Sequence, residues 1–196
     1  FFFLLFTCGI NAQQLESLKI LKIKHDSIET QLKLKYQEEI KGKSESEISE
    51  IYYQNLLSRR KNNRERLNHY FSAVQTFLET QKLIDPSQEA AQQEIPDKTA
   101  NYSQGFPALY KEVHDFIKNR YQDRLDEFFT KSAKIHFIVQ NDHSLYIEKV
   151  EGTEKEFNDL ALLAFLMTTG KWESAFQRGM NVKSKFVLPV KFVVEE

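Results

Sequence analysis

Cysteine is nearly absent from this chain of 196 residues, which contains Cys8 and no second thiol. A single cysteine excludes an intramolecular disulfide framework and any metal site built from several thiolates. The net charge of −1 likewise gives no general attraction to nucleic acid or to another polyanion. With only six glycines and four prolines, turn signals are few, so each one marks a boundary in the chain.

The motifs that usually carry catalysis are also missing. The sequence has no HExxH pair, no GxSxG elbow, no phosphate-binding glycine loop and no dinucleotide fingerprint. His136 and His143 flank a turn without a third ligand at metal-binding spacing. We therefore predict a protein that is not an enzyme and holds neither a cofactor nor a metal. The histidines are expected to be solvated or lightly packed: His25, His69, His114, His136 and His143.

The first twelve residues, FFFLLFTCGINA, combine an apolar run with small residues before Gln13. This pattern is typical of a secretory signal peptide cleaved after Ala12, and it predicts export. The run is shorter than the roughly 20 residues of a membrane-spanning helix. A membrane anchor completed by further apolar residues and lipid attachment at Cys8 are the alternatives.

Residues 13–84 are predicted to form a long helical region. Leucine, lysine, glutamate and glutamine dominate residues 15–41, and the apolar residues of this segment recur at spacings of three and four. Gly42 interrupts this helix, and Ser44 with Glu47 forms a capping box that begins a second one. The two helices can fold back as a hairpin or extend as an oligomeric coiled coil, and the apolar stripe is too short and too imperfect to distinguish the two arrangements. That stripe contains Leu18, Leu21, His25, Ile28 and Leu32.

A polar stretch with two prolines, residues 85–104, has no sustained apolar period and is interpreted as a linker. Residues 105–196 then predict a compact domain. An amphipathic helix begins after Gly105, and residues 135–139 alternate as a strand. Asn141–His143 is a turn signal, and the slipped alternation of the return strand to Glu151 indicates a bulge.

A second apolar helix containing Phe157 and Phe165 follows, then a loop with Gly170, Trp172 and Gly179, then a final strand. The predicted class is α+β, with a long helical or coiled-coil region before a small domain. That domain has a three-stranded antiparallel sheet and two helices on one face of the sheet.

The final strand, Ser184–Val193, carries the functional prediction. Its apolar residues alternate with lysines, as expected of a half-buried strand. Pro189 cannot donate a ladder hydrogen bond, which predicts an edge strand. Such an edge can accept an extended peptide as an additional strand. The predicted partner-binding residues are Ser184, Lys185, Phe186, Val187, Leu188, Pro189, Val190 and Lys191.

The order of these segments resembles the C-terminal domain of the TonB family over about residues 105–194. The resemblance lies in IHFIVQNDHSLYIEKVEG, in GKW at 170–172 and in QRGMNVKSKFVLPVKF, with LPVKF the most specific part. It implies a periplasmic domain that grips an extended segment of an outer-membrane receptor or another envelope protein. In the energy-transducing members of the family, an inner-membrane motor pulls through this domain.

The sequence also differs from the family pattern at several places, one of which is Glu173-Ser174, where a proline often follows Lys-Trp. His143 replaces the turn glycine, so a positive φ there would carry a cost. Gly170 stands where a proline usually precedes Lys-Trp, and the proline-rich spacer of a transducer is absent.

Two hypotheses follow from these features. The first is an exported protein-binding module acting by strand addition, with energy-coupled transport as its context. The second is a structural or assembly protein that forms homo-oligomers through the helical region and the last strand.

Overall fold

The structure is a computed structural model that describes residues 4–82, 96–121 and 130–193. The chain divides into two compact units, one of Glu16–Gln75 and the other of Thr76–Glu196 together with Phe1–Leu15. Within the described residues there are four α-helices and seven short or medium strands, all paired antiparallel. The predicted mixed α+β class is confirmed.

The two long helices are α1 (Leu4–Glu39) and α2 (Glu45–Lys82). Within Glu16–Gln75 they fold back as an antiparallel hairpin, with Gly42 at φ 70° in the connecting turn. Asn55 donates its side-chain amide to the carbonyl of Leu32 at 2.8 Å, and Arg59 binds Glu29 at 2.6 Å. These pairs join residues far apart in sequence, so the hairpin is the arrangement that the chain adopts.

A polar cluster lies inside this hairpin. His25 is buried, with Nδ1 2.8 Å from Oδ1 of Asn62 and Nε2 3.0 Å from Nδ1 of His69. The expectation of solvated or lightly packed histidines is therefore wrong for His25. Both ring nitrogens find hydrogen-bond partners, as burial of a polar ring requires.

The start of α2 uses the predicted capping pair. The carboxylate of Glu47 accepts the backbone N–H of Ser44 at 3.0 Å and its hydroxyl at 2.8 Å. These bonds, with Lys43 nearby, lower the pKa of Glu47 to about 2. The carboxylate thus binds the N–H of the residue that precedes the helix, which is one half of a capping box, and the Ser44 hydroxyl bonds to the same carboxylate.

The remaining elements belong to the second unit. Two are helices: α3 (Phe106–Tyr121) and α4 (Lys155–Leu166). The longer strands are β2 (Thr130–Val139), β3 (Leu145–Gly152) and β7 (Ser184–Val193). The short strands are β1 (Asn101–Tyr102), β4 (Trp172–Glu173), β5 (Ala175–Gln177) and β6 (Met180–Val182).

The longer strands form an antiparallel sheet in the order β3-β2-β7. One face is buried, with α4 packed against β2 and β3 and α3 packed against β7. Ile135, Phe137 and Leu188 lie on this face and are almost fully buried. The opposite face, called the open face below, carries the lysines Lys134, Lys185 and Lys191 together with apolar side chains, of which Ile138 is buried.

The β2–β3 hairpin has both irregularities that the sequence indicates. His143 adopts φ 69° in the turn, and its ring nitrogen Nδ1 accepts the N–H of Ser174 at 2.9 Å. The register shifts by one residue between His136 and Phe137, leaving Glu148 as the bulged residue.

Two segments that were predicted to be loops contain short paired strands. In the predicted linker 85–104, Lys98 pairs with Phe176 and β1 pairs with β4, so these residues pack within the second unit. The loop before the last strand contains β4, β5 and β6, with β5 and β6 closed by Arg178 and Gly179 at positive φ. Strands of two or three residues are too short to produce a readable period of two. Residues 83–95 lie outside the described residues.

Residues 1–3 of the predicted signal peptide also lie outside the described residues. In the part of the chain that is described, no helix combines the length and apolar character needed to cross a membrane.

Candidate functional site

The last strand, β7, presents two chemically different faces. Leu188, Val190 and Phe192 are buried against the helices. Lys185, Val187, Pro189 and Lys191 alternate with them and are exposed on the open face. The predicted alternation therefore matches the sides to which the residues point. Ser184 and Phe186 share the buried parity and are half-buried.

The hairpin turn fixes which backbone groups of β7 point outward. The N–H of Gln140 donates to the carbonyl of Ser144 at 2.8 Å, so the even-numbered residues of β2 direct their backbone groups toward β3. Its odd-numbered residues therefore face β7, where Phe137 pairs with Phe186 and Ile135 pairs with Leu188. It follows that the backbone N–H and C=O groups of the odd-numbered residues of β7 point away from β2.

We call these outward groups the outer edge: the backbone N–H and C=O groups of Lys185, Val187, Pro189, Lys191 and Val193. Pro189 contributes only its carbonyl, and its missing N–H interrupts no bond to β2. The edge spans about 27 Å at 3.4 Å per residue. Among the described residues, none forms a hydrogen bond with these groups.

The other edge of the sheet is partly occupied. On β3, the outward N–H of Ile147 donates to Oε1 of Gln81 at 3.1 Å, and Gln81 is buried. Gln81 and β3 belong to the same compact unit. A side chain from α2 therefore occupies the outward N–H at the centre of the β3 edge, whereas no described residue bonds to the outer edge of β7.

A groove of about 180 Å³ runs between α3 and β7. Pro189 and Lys191 help to line it, although their side chains belong to the open-face parity. Their backbone therefore contributes to the wall, and because β2 covers the inner side, the groove opens along the outer edge. We call it the α3–β7 groove. Its lining is Tyr110, Val113, His114, Ile117, Pro189, Val190, Lys191 and Phe192.

Sequence reasoning did not assign the α3 side of this groove to the site. Tyr110 is 43% exposed, and the ring of His114 lies 5.5 Å from that of Phe192. Both residues sit next to the predicted apolar stripe of α3, at positions i and i+4. In the sequence, Tyr110 and His114 form an aromatic pair beside the apolar stripe of the helix. Only the packing of α3 on β7 shows that they line a groove.

The open face beside β7 carries more unpaired positive than negative charge. Lys185 binds Glu148 at 2.7 Å, and Lys149 binds Glu151. The hydrogen bond from Lys149 is the main cause that lowers the pKa of Glu151. Lys134 and Lys191, in contrast, form no ion pair with any described residue, and they lie diagonally across β2 and β7.

An aromatic cluster holds the first half of β7 in place. Phe186 stacks on Phe137 with ring centroids 5.5 Å apart and also contacts Trp172 at 5.7 Å. Phe165 and Phe106 pack against Trp172 as well. The tryptophan of the GKW segment therefore lies in the core and supports the edge strand from its buried side.

Gly170 in the same segment is required by a close contact. A Cβ atom there would lie 2.3 Å from Cζ of Tyr102, and the N–H of Gly170 donates to the Tyr102 hydroxyl at 2.5 Å. That hydroxyl donates to Glu112 at 2.9 Å. Burial raises the pKa of Tyr102, so the phenol stays protonated. A proline could not supply the N–H.

No group of three or more histidine, cysteine, aspartate or glutamate side chains in the described ranges is arranged to hold a metal ion. Comparison of the chain with protein-family models, with curated proteins and with solved structures found no match.

Proposed function

We propose that this protein is an exported, periplasm-facing binding module whose TonB-like C-terminal domain adds an extended segment of a partner to β7. The partner is an outer-membrane receptor or another protein of the cell envelope. Energy-coupled transport is the context that the TonB-like pattern suggests. The role is one of protein binding, without catalysis and without a cofactor.

The observation that carries the proposal is the outer edge of β7. Four N–H groups and five carbonyls point outward at alternate residues of the strand, and no described residue forms a hydrogen bond with them. Backbone hydrogen bonds to a visiting strand supply affinity that depends little on sequence. Exposed lysines and Pro189 protect such an edge from unspecific pairing, which leaves it available to a suitable partner.

The TonB-like part of the proposal is supported by the order of the elements. A helix, a hairpin, a second helix and a last strand follow one another, and the tryptophan of GKW packs on the strand that contains LPVKF. Two departures from the family pattern have local compensation, since His143 bonds Ser174 and Gly170 bonds Tyr102. The helical hairpin would set distance or oligomeric state.

Photocrosslinking in intact cells tests the proposal. A photoreactive amino acid is placed at Lys185 or Val187, whose side chains flank the outer edge on the open face. The control position is Lys155 on α4, whose side chain is 84% exposed. Capture of an envelope protein from the β7 positions and not from Lys155 is expected. Equal capture from all three positions, or none from β7, would contradict strand addition.

A second function, self-assembly through β7, is favoured by the same free edge. Two copies could pair antiparallel along their outer edges, as in a closed two-fold dimer. The register centred on Leu188 would, however, bring Lys185 of one copy opposite Lys191 of the other, and like charges directly opposite destabilise a pair. Sedimentation of the full chain separates the two functions, because a strand-paired dimer would leave no edge for a partner.

A further inference from the structure

We infer that the segment added to β7 carries an aromatic side chain that enters the α3–β7 groove, next to an acidic residue that faces Lys134 and Lys191. This inference rests on the proposed strand addition and specifies the chemistry of the partner. The occupant is an extended envelope-protein segment in which aromatic and acidic residues are neighbours.

The geometry of an added strand sets this pattern. A strand paired with β7 would lie about 4.8 Å beyond it, and its successive side chains would point to opposite faces of the sheet. One set would point toward α3, where the groove opens along the outer edge. The other set would point to the open face, where Lys191 and Lys134 lie. Two neighbouring residues of the visitor therefore reach both features at once.

The groove suits an aromatic ring. Its volume of about 180 Å³ is several times the roughly 30 Å³ that one water occupies in the liquid. Its walls include the rings of Tyr110, His114 and Phe192, with Val113 and Ile117 at the apolar side. An inserted ring would lie beside these three rings, and aromatic pairs favour such edge or offset contacts.

The two lysines supply charge complementarity on the other face. Lys191 pairs with Ser132 and Lys134 pairs with Pro189, so neither lysine has an acidic residue directly opposite it across the β2–β7 ladder. Lys134 does face Glu151 on β3, but Glu151 is already bonded to Lys149 and to His136. A carboxylate on the visiting strand would lie opposite or diagonal to Lys191, within the range at which cross-strand pairs interact.

Synthetic peptides test this inference with the full chain. The probe is a fluorescein-labelled ten-residue peptide of threonine, serine and valine with a central Phe-Glu pair, and binding is followed by fluorescence anisotropy. Three matched peptides replace the phenylalanine by alanine, replace the glutamate by lysine, or carry N-methyl groups on alternate backbone nitrogens of the original sequence.

The Phe-Glu peptide is expected to bind at least fivefold more tightly than the alanine and lysine peptides. In the chain, Y110A should weaken the Phe-Glu peptide and leave the alanine peptide unchanged. K191E should reverse the preference between the glutamate and lysine peptides. Both residues are exposed, so neither change threatens the fold, and K155E on α4 is the matched charge control.

The outcomes separate this inference from the proposal beneath it. Equal binding of the three unmethylated peptides, with loss on N-methylation, would overturn the aromatic–acidic specificity and leave strand addition standing. Undiminished binding of the N-methylated peptide would overturn strand addition itself. If none of the peptides binds, both fail.

Discussion

At the scale of single residues, one close contact in the second unit joins Gly170 to Tyr102. An added Cβ would lie 2.3 Å from the ring, which forces the loop or the tyrosine to move. We expect G170A to lower the free energy of unfolding by about 1–3 kcal/mol, the usual cost of overpacking. Urea denaturation measures it, with K171A as the control that should change stability by less than about 0.5 kcal/mol.

His143 gives a second residue-scale prediction. Its φ of 69° strains any residue with a Cβ, and its ring also accepts the N–H of the buried Ser174. H143A loses the bond and keeps the strain, whereas H143G loses the bond and also relieves the strain. The glycine variant should therefore unfold at higher denaturant concentration, with a difference of about 1 kcal/mol. Equal stability of the two variants would show that the turn is not strained.

Residue-scale features could be predicted only where a local rule applies. Pro189 indicates an edge because it lacks an N–H, and the missing turn glycine points to the strained φ at His143. The contact between Tyr102 and Gly170 joins residues 68 positions apart. No spacing rule connects them, and the same is true of Tyr110 and the strand that forms the other wall of the groove.

At the scale of elements, the first turn of α2 makes a prediction about pH. The Ser44 backbone N–H and hydroxyl, with Lys43, hold the pKa of Glu47 at about 2, below its ordinary 4.5. Because the folded-state pKa is depressed, the contribution of this carboxylate is complete above pH 4.5 and is lost as pH falls toward 2. NMR titration of the Glu47 carboxyl should give a midpoint near 2, and S44A should move it toward 4.5.

The longest elements were the most predictable ones. Residues 15–39 of α1 contain no proline or glycine, Ser44 with Glu47 marks the start of α2, and residues 186–192 of β7 alternate. The short strands β4, β5 and β6 could not be predicted, because two or three residues carry no readable period. The same holds for β1, which lies within the predicted linker.

At the scale of the whole molecule, the sequence could not decide between a hairpin and an oligomeric coiled coil. One apolar stripe serves either arrangement, because partner helices from the same or another chain present similar surfaces. Specific polar pairs distinguish the two: Asn55 reaches Leu32, Arg59 reaches Glu29, and Asn62 reaches His25 within one chain.

These pairs also make a prediction about the hairpin unit. N62L removes the partner of Nδ1 of the buried His25 and should destabilise the unit by about 1–3 kcal/mol, since a buried donor then stays unsatisfied. N55L is the matched comparison at a half-buried site and should cost less. Thermal unfolding followed by helical ellipticity measures both, and equal losses would contradict a special role for the His25 cluster.

Amide hydrogen exchange along β7, followed by NMR on the full chain without a partner, tests the free outer edge most directly. The inward N–H groups of Phe186, Leu188 and Val190 should be protected, and those of Lys185, Val187 and Lys191 should exchange faster by roughly tenfold or more. Uniform protection of all six amides would contradict the account, because the edge would then already be covered.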